Sequence, residues 1–244
     1  MAAESSKNPR TGRTRDQERL TLRFLTSAPD RRQAPSPDQP EIAIAGRSNA
    51  GKSSVLNRLS GNRRTAKVSR TPGRTQLLNF FDIVAQGRVR GRLVDLPGYG
   101  YAKAARAAQA TWQRAVNDYL DQREALIGVI LVMDIRHPLQ PFDRDLLTWA
   151  AGAELPLLVL LNKADKVKQQ AQMTTLRDVR GALSTYGAVE LDALCFSALR
   201  GQGQPELLAR LESWLDRVTE VDPAAGAVDL PEPDPTQPEP KQKD

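Results

Sequence analysis

Gly46-Arg47-Ser48-Asn49-Ala50-Gly51-Lys52-Ser53 follows the apolar run Ile42-Ala43-Ile44-Ala45 and precedes Ser54-Val55-Leu56-Asn57-Arg58-Leu59. That order predicts strand, glycine-rich loop and helix. The spacing fits the phosphate-loop pattern G-x-x-x-x-G-K-[ST] in the setting that pattern requires. Glycine lets the backbone wrap closely around an anion. Successive N–H groups and the helix N-terminus then face phosphate oxygens. Lys52 is placed to reach the β- and γ-phosphates, and the Ser53 hydroxyl to ligate Mg²⁺. Arg47, Ser48, Asn49, Ala50 and Ser54 complete the candidate ligand set of the loop.

Outward from this loop the chain alternates strand-like and helical stretches. Residues 77–84 and 88–95 read as two strands, and Gln86-Gly87 between them marks a tight hairpin, so this pair is expected to be antiparallel. Residues 127–133 and 157–161 are continuous apolar runs, the pattern of central parallel strands buried on both faces. Residues 189–196 supply the last strand. Helices are expected over 107–123, 142–151, 168–185 and 205–218, with Pro205 in a first turn, where proline is tolerated. Trp112, Trp149 and Trp214 fall on these helices and are expected to pack in the core. The expected fold is a three-layer α/β domain, its six-stranded sheet mostly parallel with one antiparallel edge hairpin. In such folds the ligand lies at the carboxyl ends of the strands.

The domain is expected to span residues 41–221. Residues 1–19 read as a flexible basic arm. Residues 20–40 read as an extension docked through Leu20, Leu22, Phe24 and Leu25. Residues 222–244, rich in Pro, Asp and Glu, have the composition of a disordered acidic tail. The chain of 244 residues carries a net charge of +6 and a pI near 9.7. The tail is net −4, residues 1–40 are net +3, and the middle holds the remaining +7. A basic domain with an acidic tail suggests a polyanionic partner such as RNA. The single cysteine, Cys195, excludes an intramolecular disulfide and reads as an inert core residue. No apolar run approaches the roughly 20 residues of a spanning helix. The basic N-terminus has no apolar segment behind it, so no secretory signal is read there. A soluble, cytoplasmic monomer without membrane contact is the expectation.

Three further motifs fall at strand ends. Asp95-Leu96-Pro97-Gly98 follows the third strand; Asp95 there can hold the Mg²⁺ hydration shell, and Gly98 can offer its N–H to a γ-phosphate. Asn162-Lys163-Ala164-Asp165 follows the fifth. The Asp165 carboxylate can accept from N1–H and the 2-amino group of guanine, an edge adenine lacks. Asn162 can bond the other edge of the base and brace the phosphate loop, while the Lys163 stem lies against the ring. After the sixth strand, Phe196-Ser197-Ala198 can present a backbone N–H to guanine O6. Between the first helix and the second strand lies the polar, basic stretch from Ser69 to Gln76. A loop hydroxyl that ligates Mg²⁺ only when γ-phosphate is present makes a switch. Thr71 and Thr75 are the candidates, and Thr75, directly before the strand that would anchor it, is preferred. In this order the motifs describe a guanine-nucleotide-binding domain.

GRSNAGKSS at 46–54, TPGRTQLLNFF at 71–81, LVDLPGYGYA at 93–102 and MDIRHPL at 133–139 resemble the EngB/YsxC/YihA group of bacterial GTPases. That group belongs with the Era/EngA-like members of the TRAFAC class. Phe24-Leu25-Thr26-Ser27-Ala28 is similar to its N-terminal segment. The resemblance covers roughly residues 20–220. It implies a GTPase needed for assembly of the large ribosomal subunit, with rRNA and ribosomal proteins as partners, and linked to cell division and septation. It supports Ser53 and Thr75 as magnesium ligands and Gly73, Arg74, Thr75, Gln76 and Leu77 as the switch segment. The group often has Thr where Asn162 stands; Asn is usual in GTPases generally.

Ras-like GTPases position the attacking water with a Gln just after D-x-x-G. Here Tyr99 stands there, so intrinsic hydrolysis is expected to be slow, with Lys52 and Thr75 the catalytic candidates. A monovalent cation or a partner would supply the missing charge. Several GTPases that lack the Gln and respond to potassium carry an Asn at the position of Asn49, whose amide oxygen could help ligate K⁺. Arg70 and Arg74 are alternative charge stabilisers. The only histidine, His137, reads as structural or partner-facing. The second reading is a non-catalytic, GTP-dependent binding module at the ribosome or septum.

Overall fold

A computed structural model describes residues 20–61, 77–98, 116–187, 190–221 and 228–229. Among the described residues eight strands form one sheet: β1 (Thr21–Ala28), β2 (Glu41–Gly46), β3 (Leu78–Ala85), β4 (Arg88–Asp95), β5 (Leu126–Asp134), β6 (Leu157–Asn162), β7 (Leu191–Cys195) and β8 (Val228–Asp229). Seven of them run in the order β1-β3-β4-β2-β5-β6-β7. From β4 to β7 every pairing is parallel, while β1–β3 and β3–β4 are antiparallel. The helices are α1 (Lys52–Leu59), α2 (Pro141–Gly152), α3 (Gln169–Leu183) and α4 (Gln204–Val221), and residues 116–122 are also helical.

Two apolar layers enclose the sheet. Ile42 and Ile44 of β2 face Val55, Leu56 and Leu59 of α1 and Leu207, Leu211 and Trp214 of α4. Ala43 and Ala45 point the other way, toward Tyr119, Leu147, Ala150, Val179 and Leu183. The strict alternation of one strand between two cores explains its apolar run from Ile42 to Ala45. Trp214 is buried and Trp149 packs against the second layer; Trp112 lies outside the described residues. Cys195 is half-buried, its thiol directed at the Gln172 carbonyl (3.7 Å), and burial pushes its pKa up.

The sheet carries strands beyond the six expected. The segment with Leu22, Phe24 and Leu25 is β1, paired to the outer edge of β3 with an irregularity between Phe24 and Thr26. A bulge shifts the side-chain alternation, which is why the stretch lacks a clean two-residue period. Phe24 lies edge-on to Phe81 (5.6 Å), and Arg23 pairs with Asp82 (2.7 Å). Within the stretch expected to be a disordered tail, Val228–Asp229 pairs with Arg88 and Val89. The start of β4 extends past β2, whose pairing begins at Glu41 opposite Arg92, and β8 covers the donors and acceptors left there. Among the described residues no helix is long and apolar enough to cross a membrane.

Candidate functional site

The chain turns from β2 into α1 at the point where the sheet's connections divide: β4 lies on one side of β2 and β5 on the other. Such switch points are where α/β sheets take ligands. Two glycines are required by the local geometry. A side chain on Gly46 would meet the Val132 carbonyl oxygen at 2.5 Å. Gly51 has φ of 98°, and a Cβ there would lie 2.2 Å from Asn162 Nδ2. Asn49 adopts the left-handed conformation (φ 68°), which asparagine tolerates better than most residues. Among the described residues no side chain caps the N-terminus of α1, so its first-turn N–H groups keep the character of an anion site.

Asp95 ends β4 and is buried; one oxygen is ion-paired with Lys52 and the other accepts from Asn79 Nδ2 at 3.3 Å. Ser27 of β1 donates its hydroxyl to Asn79 Oδ1 (2.7 Å), which sets the amide's direction. Leu96 N–H donates to the Ile44 carbonyl (3.0 Å), extending the parallel ladder and carrying the chain to Gly98. A Cβ on Gly98 would stand 3.4 Å from the Gly46 carbonyl and 3.5 Å from Ser48 N, so this glycine lies against the phosphate loop. The Leu96 side chain points into the core.

Asn162 is the hub of the other half. Its Nδ2 donates to the Ala50 carbonyl (2.9 Å), and its Oδ1 receives a long contact from the Ala198 N–H (3.4 Å). It therefore braces the phosphate loop, as the sequence suggested, and reaches the segment after β7. Lys163 turns left-handed (φ 64°), and its ammonium donates to the Asn49 carbonyl (2.6 Å) and to Asp134 (2.9 Å). Asp165 accepts the Ser197 hydroxyl at 2.6 Å, and this bond is the first cause of a carboxyl held below its ordinary value. A carboxylate has about four acceptor positions, so capacity remains for a two-donor edge. Phe196 is buried, its N–H given to Leu161 and its carbonyl to Ala164 N–H. The Ser197 N–H is given to the Gln202 carbonyl. Of Phe196-Ser197-Ala198, only the Ala198 N–H is left for a ligand, its one contact long and weak.

The phosphate loop, Asp95–Gly98, Asn162–Asp165 and Ser197–Ala198 are thus gathered at one end of the sheet. Gly73, Arg74, Thr75 and Gln76, together with Arg70, Thr71 and Tyr99, lie outside the described residues. Leu77 is half-buried just before β3. Two residues that support the site were given no role from sequence. Asn79 could have been noticed as a polar residue inside an apolar strand. Asp134 could have been noticed as an acid ending a wholly apolar one.

A strand, a phosphate loop, D-x-x-G and N-K-x-D in this arrangement define a GTPase domain, and comparison with known proteins agrees. The family described as 50S ribosome-binding GTPase matches residues 41–163, and the elongation factor Tu GTP-binding domain matches 115–217. A probable GTP-binding protein EngB of Pasteurella multocida (strain Pm70) is 49% identical over 192 residues, 78% of this chain and 91% of the relative. The corresponding protein of Shewanella baltica (strain OS185) is 48% identical over 197 residues, 79% of this chain and 87% of the relative. The chain belongs to the EngB family of GTP-binding proteins and is a GTPase. Among solved structures, a probable EngB aligns with TM-score 0.54 at 20% identity, over 72% of this chain and 99% of that one. Era in complex with MgGDPNP and 16S ribosomal RNA nucleotides aligns with TM-score 0.54 at 21% identity, over 82% of this chain and 59% of that one. At these identities the likeness is one of fold.

Proposed function

We propose that this GTPase is a nucleotide-controlled switch in assembly of the large ribosomal subunit, acting in the cytoplasm and serving normal cell division. The observation that carries the nucleotide reading is Asn162, which ties the phosphate loop to the Ala198 segment through one side chain. A base held at Asp165 and phosphates held at Gly46–Ser54 would sit in one fixed geometry. The family description, 50S ribosome-binding GTPase, and the basic middle of the chain support the partner.

Lys52 is read as the cation on the β- and γ-phosphates, and Asp165 as the residue that selects guanine. Magnesium fits the donors present. Ser53 offers a hydroxyl in the first turn of α1, and the carboxylate of Asp95 reaches that turn through its pair with Lys52. Hard oxygen donors of this kind suit Mg²⁺. Ser53 and Thr75 would ligate the ion directly, and Asp95 would order its waters. When bound, the ion supplies neutralisation of phosphate charge. Lys52 delivers its own charge from a partly buried position pre-oriented by Asp95. Asn49, exposed on a left-handed turn, is read as the K⁺-responsive position.

Two measurements test this reading. Co-sedimentation with large subunits in GTP, GDP and nucleotide-free states should show retention that depends on GTP and falls steeply with salt. Turnover in matched potassium and sodium buffers should be slow alone and rise with subunits and potassium. Equal retention in all three states, with turnover indifferent to subunits, would reject the switch.

A further inference from the structure

Asp134 is the last residue of β5, level with Asn162 at the end of β6. Its two oxygens are fully engaged. Oδ1 accepts from Arg136 Nε (2.9 Å) and from the Arg136 backbone N–H (3.1 Å). Oδ2 accepts from Arg136 Nη2 (2.7 Å) and from Lys163 Nζ (2.9 Å). The bidentate guanidinium fixes the plane of the carboxylate. Charge and hydrogen bonds from Arg136, with Lys163 after it, hold the Asp134 carboxyl well below the usual carboxylate range, so the group is an anion at any physiological pH.

Lys163 is the residue this anion acts on. Its backbone is left-handed, a conformation disfavoured for a residue with a Cβ and kept only where surroundings over-determine it. The surroundings here are two acceptors from different segments: the Asn49 carbonyl of the phosphate loop and the Asp134 carboxylate of β5. Its ammonium is held by two segments at once, and the stem between that ammonium and the left-handed backbone keeps little freedom. Without Asp134 the ammonium would keep a single neutral acceptor, and a four-carbon chain would regain its rotamers.

We propose that Asp134 is a positioning residue for the guanine nucleotide: it acts through Lys163, fixing the lysine stem at the base and its ammonium on the phosphate loop, and Arg136 holds Asp134 in register. The inference rests on the assignment of Lys163 to the base pocket. It accounts for an acid at the end of an otherwise apolar strand. It also gives Arg136, whose side chain is 46% exposed, a role reaching inward from the surface.

The test is the release rate of fluorescent GDP, with GTP affinity beside it, for Asp134→Asn, Arg136→Ala, Lys163→Met and the double variant Asp134→Asn/Lys163→Met. A charge-assisted bond lost from a binding geometry corresponds to about a tenfold change, so Asp134→Asn should speed release by about that factor. Arg136→Ala should give a smaller change of the same sign. The double variant should release GDP no faster than Lys163→Met alone, because Asp134 has nothing to position once the ammonium is gone. A purely structural role would not produce that ceiling; its effects would multiply. Effects that multiply, or an effective Lys163→Met beside a silent Asp134→Asn, would overturn the inference alone. A silent Lys163→Met would remove the base-pocket reading and the inference with it.

Discussion

The two ends of strand β2 spend charge in opposite ways. At its start, Glu41 is entirely buried and fully paired. It accepts from Tyr119 Oη (2.8 Å) and from Arg123 Nε (2.8 Å) and Nη2 (2.5 Å). Arg123 also donates to the Pro35 carbonyl (2.6 Å), and Arg92 to that of Ser36 (2.5 Å), so this cluster straps residues 35–40 beneath the sheet. Burial, with the Glu41 charge, pushes the Tyr119 hydroxyl well above its ordinary pKa, keeping it a neutral donor. At the far end, the Lys163–Asp134 pair is half-exposed and joins the segment after β6 to the end of β5. Lys163 is 29% exposed and Asp134 16%. The lower cluster points its donors inward at a satisfied anion. The upper one orients donors and acceptors toward an open edge. Similar residue types therefore do different work: one set holds the domain together, the other is held in place by it.

The sharpest way to break this contrast is at Glu41. Glu41→Ala leaves Arg123 buried without its partner, and loss of one member of a buried pair costs about 3–5 kcal/mol. Urea unfolding should show that loss, while GTP affinity of the folded protein stays unchanged. The two ends lie about 17 Å apart at strand rise, beyond the range over which substitutions usually couple. A parallel fall in nucleotide affinity would show that the lower cluster is part of the site.

A smaller effect, confined to the upper end, is expected from Asp165→Asn. Two bonds from guanine to a carboxylate become one acceptor and one misplaced donor, which should weaken GTP roughly a hundredfold. Xanthosine triphosphate, which has a carbonyl where guanine has its amino group, should bind better than to the native protein. Thermal unfolding without nucleotide should move little. Undiminished GTP affinity would remove the basis of the base assignment.

How much of this was legible in the sequence follows from what each segment has to satisfy. β2, β5 and β6 are buried on both faces and read as unbroken apolar runs, so their type and place were plain. The phosphate loop was legible because its glycines answer to backbone geometry at fixed positions. β1 was seen only as a docked segment, because an edge strand with a bulge has one covered face and a broken period. β8 was hidden by an acidic, proline-rich composition, and only the uncovered start of β4 explains it. At the site, the motifs were readable and the side chains that support them were not. Asp134 and Asn79 act through neighbours distant in sequence, a relation that no local pattern records. Phe196 shows the reverse: it stands in a candidate motif, yet its backbone N–H and carbonyl are used by Leu161 and Ala164.

The smallest effect expected, and the finest test of the upper end, is Ser197→Ala. The Ser197 hydroxyl is the first cause of the lowered Asp165 pKa, ahead of the contribution from Lys166. A carboxyl with a depressed folded value contributes its charged-form binding and stability above its ordinary value, and loses both only as pH falls through the depressed one. Removing the hydroxyl should raise that value toward the ordinary range, so the acid limb of GTP affinity should move to higher pH. At neutral pH Asp165 remains charged in both proteins. There the loss should be that of one hydrogen bond, about 1 kcal/mol or severalfold in affinity. The Arg200 N–H also loses its acceptor at Ser197 Oγ (3.1 Å), which gives the loop a little freedom in the same direction. GTP affinity measured across the acid range separates the two consequences. A uniform loss at every pH would mean that Ser197 only shapes the loop. A displaced acid limb would mean that it tunes the carboxylate selecting the base.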